Sequence, residues 1–161
     1  MPSLKSTCLA IMATVTLAAP AFSDDADLAS HLDGRWQSDW PRTKKHIDAD
    51  CKTNAESLRL MERLMGKMTI QYEGNRALVT MPEIRYTTDG KERVIEGWTS
   101  EENMTVLGRT KTQIALRERS GDKDYLHLLT FEDRDTYWVY LGYSPWAGFH
   151  VREYFRRLPS K

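Results

Sequence analysis

The run MTIQYEGNRALVTM, residues 68–81, decides the fold. Met68, Ile70 and Tyr72 share one face of an extended chain, because side chains alternate along a strand. Ala77, Val79 and Met81 share one face of the next, and Glu73-Gly74-Asn75 turns the chain between them. The residues just before this run repeat at the helical period; from Met68 onward the period is two. The same alternation then recurs to the C-terminus. Ile84 and Tyr86 alternate after Pro82, and Asp89-Gly90 marks a tight hairpin. RVIEGW (93–98), MTVLGR (104–109), QIALRER (113–119), YLHLLTFE (125–132), TYWVYLG (136–142) and FHVREYFRR (149–157) follow. No helical pattern separates them, which excludes parallel βαβ connections. An antiparallel meander of this length closes on itself, since closure removes both exposed edges. The expectation is a mainly all-β chain: an antiparallel up-and-down barrel of about 8–10 strands with one short helix after the first strand.

Reading back from Met68, that helix covers residues 53–65. Thr53 and Glu56 stand at capping-box spacing, and Leu58, Met61, Leu64 and Met65 form one apolar stripe. Gly66 is the expected stop. The preceding PRTKKHIDADCKTN (41–54) is polar and reads as a loop. GRWQSDW (34–40) makes Trp36 the inward residue of a first strand that Pro41 ends.

The N-terminus has the three parts of a secretory signal. Lys5 is its positive region, Cys8 to Ala19 its apolar core, and Ala21-Phe22-Ser23 its small-residue cleavage pattern after Pro20. The core is too short to span a bilayer. Residues 1–23 therefore read as a signal peptide and 24–161 as one domain, placed in the periplasm or outside the cell. No second apolar run is long enough to give the mature chain a transmembrane segment. The 23 Lys and Arg balance the 23 Asp and Glu, and Lys5 is the only charged residue in 1–23. A balanced chain lacks the basic field that nucleic-acid binding needs. One cysteine, Cys51, remains after cleavage, so the domain stands on its core and not on disulfides.

The order of elements resembles the calycin group, the lipocalins and fatty-acid-binding proteins. Gly34-x-Trp36 resembles the Gly-x-Trp signature of their first barrel strand, where the glycine admits close approach and the tryptophan plugs the barrel floor. A helical insertion after that strand resembles the lid of fatty-acid-binding proteins, which usually has two helices where one is evident here. Arg152-x-Tyr154 resembles the pair that holds a fatty-acid carboxylate in that family. The resemblance implies that Arg152 and Tyr154 point into the barrel and bind an anionic head group. An interior Arg152 needs a carboxylate, on the ligand or on a side chain such as Glu96 or Glu118.

Other candidates are local. HIDADC (46–51) offers imidazole, carboxylate and thiol groups, but no second histidine completes a metal set on that loop, so no metal is assigned. His127 shares a face with Tyr125, Leu129 and Phe131, and Trp138 and Tyr140 belong to an aromatic cluster with Tyr137, Tyr143, Trp146 and Phe149. These residues fit a cavity wall and a packed core equally well; His127, Trp138 and Tyr140 join Arg152 and Tyr154 as ligand-binding candidates. There is no Gly-x-Ser-x-Gly, His-Glu-x-x-His or phosphate loop, and no catalytic residue or cofactor is assigned. Two functions stand ahead of an enzyme. One is an exported barrel that binds an apolar small molecule, with or without a carboxylate. The other is an exported inhibitor or accessory subunit with a filled barrel and a protein-binding surface. An internal cavity of roughly 300 Å³ or more separates the first from the second.

Overall fold

The computed structural model describes residues 31–159 apart from 52, 121 and 144–149. Residues 1–23, read above as a signal peptide, and Trp146 and Phe149 thus lie outside the described residues. The first strand, β1 (Gly34–Ser38), leads into two helices, α1 (Trp40–Asp50) and α2 (Ala55–Leu64). Then follow β2 (Thr69–Glu73), β3 (Arg76–Met81), β4 (Ile84–Thr88), β5 (Lys91–Ile95), β6 (Trp98–Arg109), β7 (Gln113–Ser120), β8 (Lys123–Asp133), β9 (Thr136–Tyr143) and β10 (His150–Arg157). Eight of these strands form a closed antiparallel barrel in the order β1-β10-β9-β8-β7-β6-β3-β2. The expected antiparallel barrel with a helical segment after its first strand is the observed one.

The other two strands leave the wall. β4 and β5 pair only with each other, and β3 pairs directly with β6, from Arg76↔Asn103 to Met81↔Trp98. The Asp-Gly turn between them is the expected hairpin turn: Asp89 (φ 51°) and Gly90 (φ 69°) both adopt the positive φ that strand twist favours there.

The segment 41–54 differs from its reading as a loop. Asp39 caps α1, its carboxylate accepting the Arg42 N–H at 3.2 Å. Pro41 therefore starts a helix as well as ending a strand, since its missing N–H costs nothing in a first turn. A Lys44–Asp48 pair supports the exposed face, and the nearly buried His46 side chain meets Asp50 one turn on. Only Thr43 and Ile47 of α1 are buried, too few to make a visible apolar stripe. α2 begins one residue late: Asn54, not Thr53, is the cap and accepts the Ser57 N–H at 2.8 Å.

The barrel core is built on Trp36, with Ile70, Tyr72, Ala77, Ile114, Leu116, Leu129, Phe131, Tyr137 and Phe155 around it. A second cluster joins Ile47 of α1, Met61 and Met65 at the end of α2, and Val151 of β10. β1 stops at Ser38, so the edge of β10 beyond it is left to α1. Asp39 donates its N–H to the Tyr154 carbonyl at 2.7 Å, and the Tyr154 N–H donates to Thr43 Oγ1 at 3.0 Å. These bonds satisfy backbone groups that a longer β1 would have paired.

Candidate functional site

Gly34 and Trp36, the residues expected at the barrel floor, lie in β1, where Trp36 packs in the barrel core. Trp36 is 0% exposed and donates from Nε1 to the Leu32 carbonyl at 2.8 Å. The Arg157 guanidinium lies 4.2 Å from the centre of its ring. Gly34 (φ 122°) makes room for that arm: a Cβ there would sit 3.0 Å from Arg157 Nη1. Arg157 then donates to Asp33 O at 2.7 Å and to Asp135 Oδ1 at 3.0 Å, fastening the last strand to the first.

Against this core the barrel encloses a cavity of about 500 Å³. Most of its wall is apolar, supplied by residues such as Met68, Ile70, Val79, Met104, Leu116, Val139 and Phe155. The wall opens where β8 and β9 part. Among the described residues their ladder runs from Asp133↔Thr136 only as far as Thr130↔Trp138. Beyond it Tyr125, Leu126, Tyr140 and Leu141 line the cavity, and all four are exposed, Leu126 by 75%.

Deeper than these, the polar side chains of the wall are Tyr72, Tyr137, Glu118, His127 and Glu153. The Tyr72 and Tyr137 hydroxyls lie 3.4 Å apart. Burial, the largest cause, pushes the Tyr72 phenol up to about 12, and burial together with Tyr72 pushes Tyr137 well above the usual phenol range. Both stay neutral at physiological pH. Glu118 Oε2 is 2.7 Å from His127 Nε2. Glu153, only 6% exposed, accepts from Ser38 Oγ at 2.6 Å. Burial pushes its carboxyl up, and the Ser38 hydroxyl draws it partly back.

The expected orientation of β10 is reversed. Glu153 and Phe155 line the cavity, so alternation turns Arg152 and Tyr154 to the outer face. Arg152 stacks its guanidinium 4.4 Å from the Trp138 ring centre and 5.6 Å from that of Tyr140. The Tyr154 ring meets His46 of α1, with centroids 6.4 Å apart. Four of the five expected ligand-binding residues, Arg152, Tyr154, Trp138 and Tyr140, thus gather outside the barrel; Tyr140 alone of these also reaches the cavity mouth. His127 lies inside, and it is His127, not Arg152, that Glu118 meets. Glu153 was not among the expected residues: it shares its face with Val151 and Phe155 but also with Arg157, so both faces of β10 mix apolar and charged side chains. Arg152→Ala is expected to lower the unfolding free energy by about 0.5–2 kcal/mol, the range of a cation–π contact. A urea melt followed by circular dichroism checks it, and a loss well above that range would show that Arg152 holds more than its two rings.

On α1, His46 Nδ1 lies 2.9 Å from Asp50 Oδ2, and its Nε2 lies 3.8 Å from Cys51 Sγ. Burial first, then Asp50, pushes the Cys51 thiol up, against a smaller opposing effect of Arg152. The thiol is therefore protonated at neutral pH and is poorly disposed to act as a nucleophile. Among the described residues no three His, Cys, Asp or Glu side chains converge as a metal site, and no helix is long and apolar enough to cross a membrane. No protein-family model matches the chain, and no curated protein matches it in sequence.

Proposed function

We propose that this chain is an exported, calycin-like barrel that binds an apolar small molecule in its interior. The observation that carries the reading is the cavity of about 500 Å³ with a mainly apolar wall, inside the range of small-molecule sites. Export rests on the tripartite N-terminus, and the calycin likeness on Gly34-x-Trp36 and the helical insertion after β1. The mouth between β8 and β9 supplies the entry path.

Titration with a neutral, environment-sensitive apolar fluorophore tests this. Wild-type protein is expected to bind it and to enhance its emission. Val139→Trp and Met104→Trp place a large ring in the cavity from positions that are only partly buried. Each is expected to weaken binding at least about tenfold, since a filled cavity excludes a ligand that needs its volume. Folded wild-type protein that binds no such fluorophore would remove the reading. The weight would then move to a protein-binding role, for which the exposed Leu107, Leu126 and Leu128 are the supporting observation.

A further inference from the structure

We propose that the ligand of this cavity carries a protonated amine and that the Glu153 carboxylate is its anchor. The inference rests on the reading of the barrel as a small-molecule binder and adds the chemistry of the head group. Its basis is the sign of the interior. Among the described residues that line the cavity the charged ones are Glu118 and Glu153, with His127 beside the first; none of them is lysine or arginine. A fatty-acid carboxylate would meet like charge there.

The two acids differ in what they already hold. Glu118 has the His127 Nε2 at 2.7 Å, a hydrogen-bond partner within the protein. Glu153 receives one hydrogen bond from a neutral hydroxyl, that of Ser38. A carboxylate accepts about four hydrogen bonds, and one removed from water without a cation is costly. Glutamine has the same shape, would keep an acceptor for Ser38, and would avoid the charge. An acid in that position, facing open volume, is matched by a ligand cation that supplies both the charge and further N–H donors.

The rings nearby fit the same occupant. Tyr137 and Phe155 are stacked 5.0 Å apart, and both line the cavity with Glu153. Aromatic faces attract an ammonium group where carboxylates are screened from water. The cation is organic and not a bare metal ion, because no set of three ligating side chains converges around Glu153 among the described residues. The apolar remainder of the ligand would extend along the wall toward the mouth between β8 and β9.

The test uses three probes with one apolar body: a naphthylalkyl amine, the matching alcohol and the matching carboxylic acid. Each is titrated into the full chain by isothermal calorimetry. The amine is expected to bind about ten- to a hundredfold more tightly than the alcohol, the scale of a charge-assisted hydrogen bond, and the acid most weakly. Glu153→Gln is expected to collapse the amine-over-alcohol preference to within about threefold, while Arg152→Ala, on the outer face, leaves it intact. Equal binding of amine and alcohol to wild type would overturn the inference and leave the small-molecule reading standing. A Glu153→Gln variant that keeps the full preference would overturn Glu153 as the anchor. Failure of all three probes to bind would remove the small-molecule reading itself, and the inference with it.

Discussion

Trp36→Ala is expected to lower the unfolding free energy by about 3–5 kcal/mol. Few positions concentrate so many contacts. The indole is 0% exposed, sits edge-on to Tyr137 with centroids 4.7 Å apart, and touches Phe131 at 6.1 Å. It also carries the Arg157 guanidinium on its face. Alanine removes the whole ring and leaves a void at the floor, and the Leu32 carbonyl loses its donor. A domain of this size has about 5–15 kcal/mol in total, so the variant would be marginal. Trp36→Phe keeps most of the volume and should cost distinctly less. Trp98, 49% exposed, is the control, and its replacement by alanine should cost under about 1 kcal/mol. Guanidinium melts read by far-ultraviolet circular dichroism decide the matter. A Trp36→Ala loss no larger than that of Trp98→Ala would mean that the floor is not held by the indole.

Ser38→Ala should produce the next largest loss, about 2–4 kcal/mol, because one hydroxyl serves two groups. Ser38 Oγ donates to Glu153 at 2.6 Å and accepts the Gly66 N–H at 2.7 Å. It therefore ties the end of β1 both to the residue that stops α2 and to the acid in the cavity. Removing it orphans a backbone donor and takes from the buried Glu153 carboxyl the hydroxyl that donates to it. The pH dependence follows from the same group. The folded pKa of Glu153 is raised, so the folded state holds its proton at pH values where the unfolded chain has released it. Stability from this group is fully present below the ordinary carboxylate range and is lost as pH rises through the raised folded pKa. Ser38→Ala removes the bond that draws the pKa down, so its loss window should extend to higher pH. Glu153→Gln should abolish that slope and raise stability at neutral pH. In the double variant the Ser38→Ala loss should shrink, since the carboxylate it would strand is absent. Melting temperatures measured from pH 4 to 8 test all three. Equal slopes in wild type and Glu153→Gln would exclude Glu153 as their source.

The barrel was legible because its signal is redundant. Alternation in MTIQY and RALVTM is repeated through β6 to β10, and each run ends in turn residues. α1 was not legible, because most of its residues are polar or charged and its fully buried ones reduce to Thr43 and Ile47. The separation of β4 and β5 from the wall was equally hidden, as alternation reports pairing but not with whom; the exposed Lys91, Glu92 and Arg93 were the trace it left. The site was half legible. His127 could be placed inside by the apolar company of Leu129 and Phe131. The face of β10 could not, because a guanidinium stacked on Trp138 and one aimed into a cavity leave the same alternating sequence.

The β4–β5 hairpin has a topological consequence. It is inserted between two neighbouring staves, β3 and β6, that are antiparallel to each other. Because the hairpin pairs with neither stave, the opposed directions of β3 and β6 are set by their own ladder and not by what the connection between them contains. Insertions at this seam are thus restricted only weakly by length. Met81 and Trp98, where the chain departs and returns, face each other across the ladder, so the seam can shed the hairpin or gain a longer one while the stave sequence around the cavity stays unaltered.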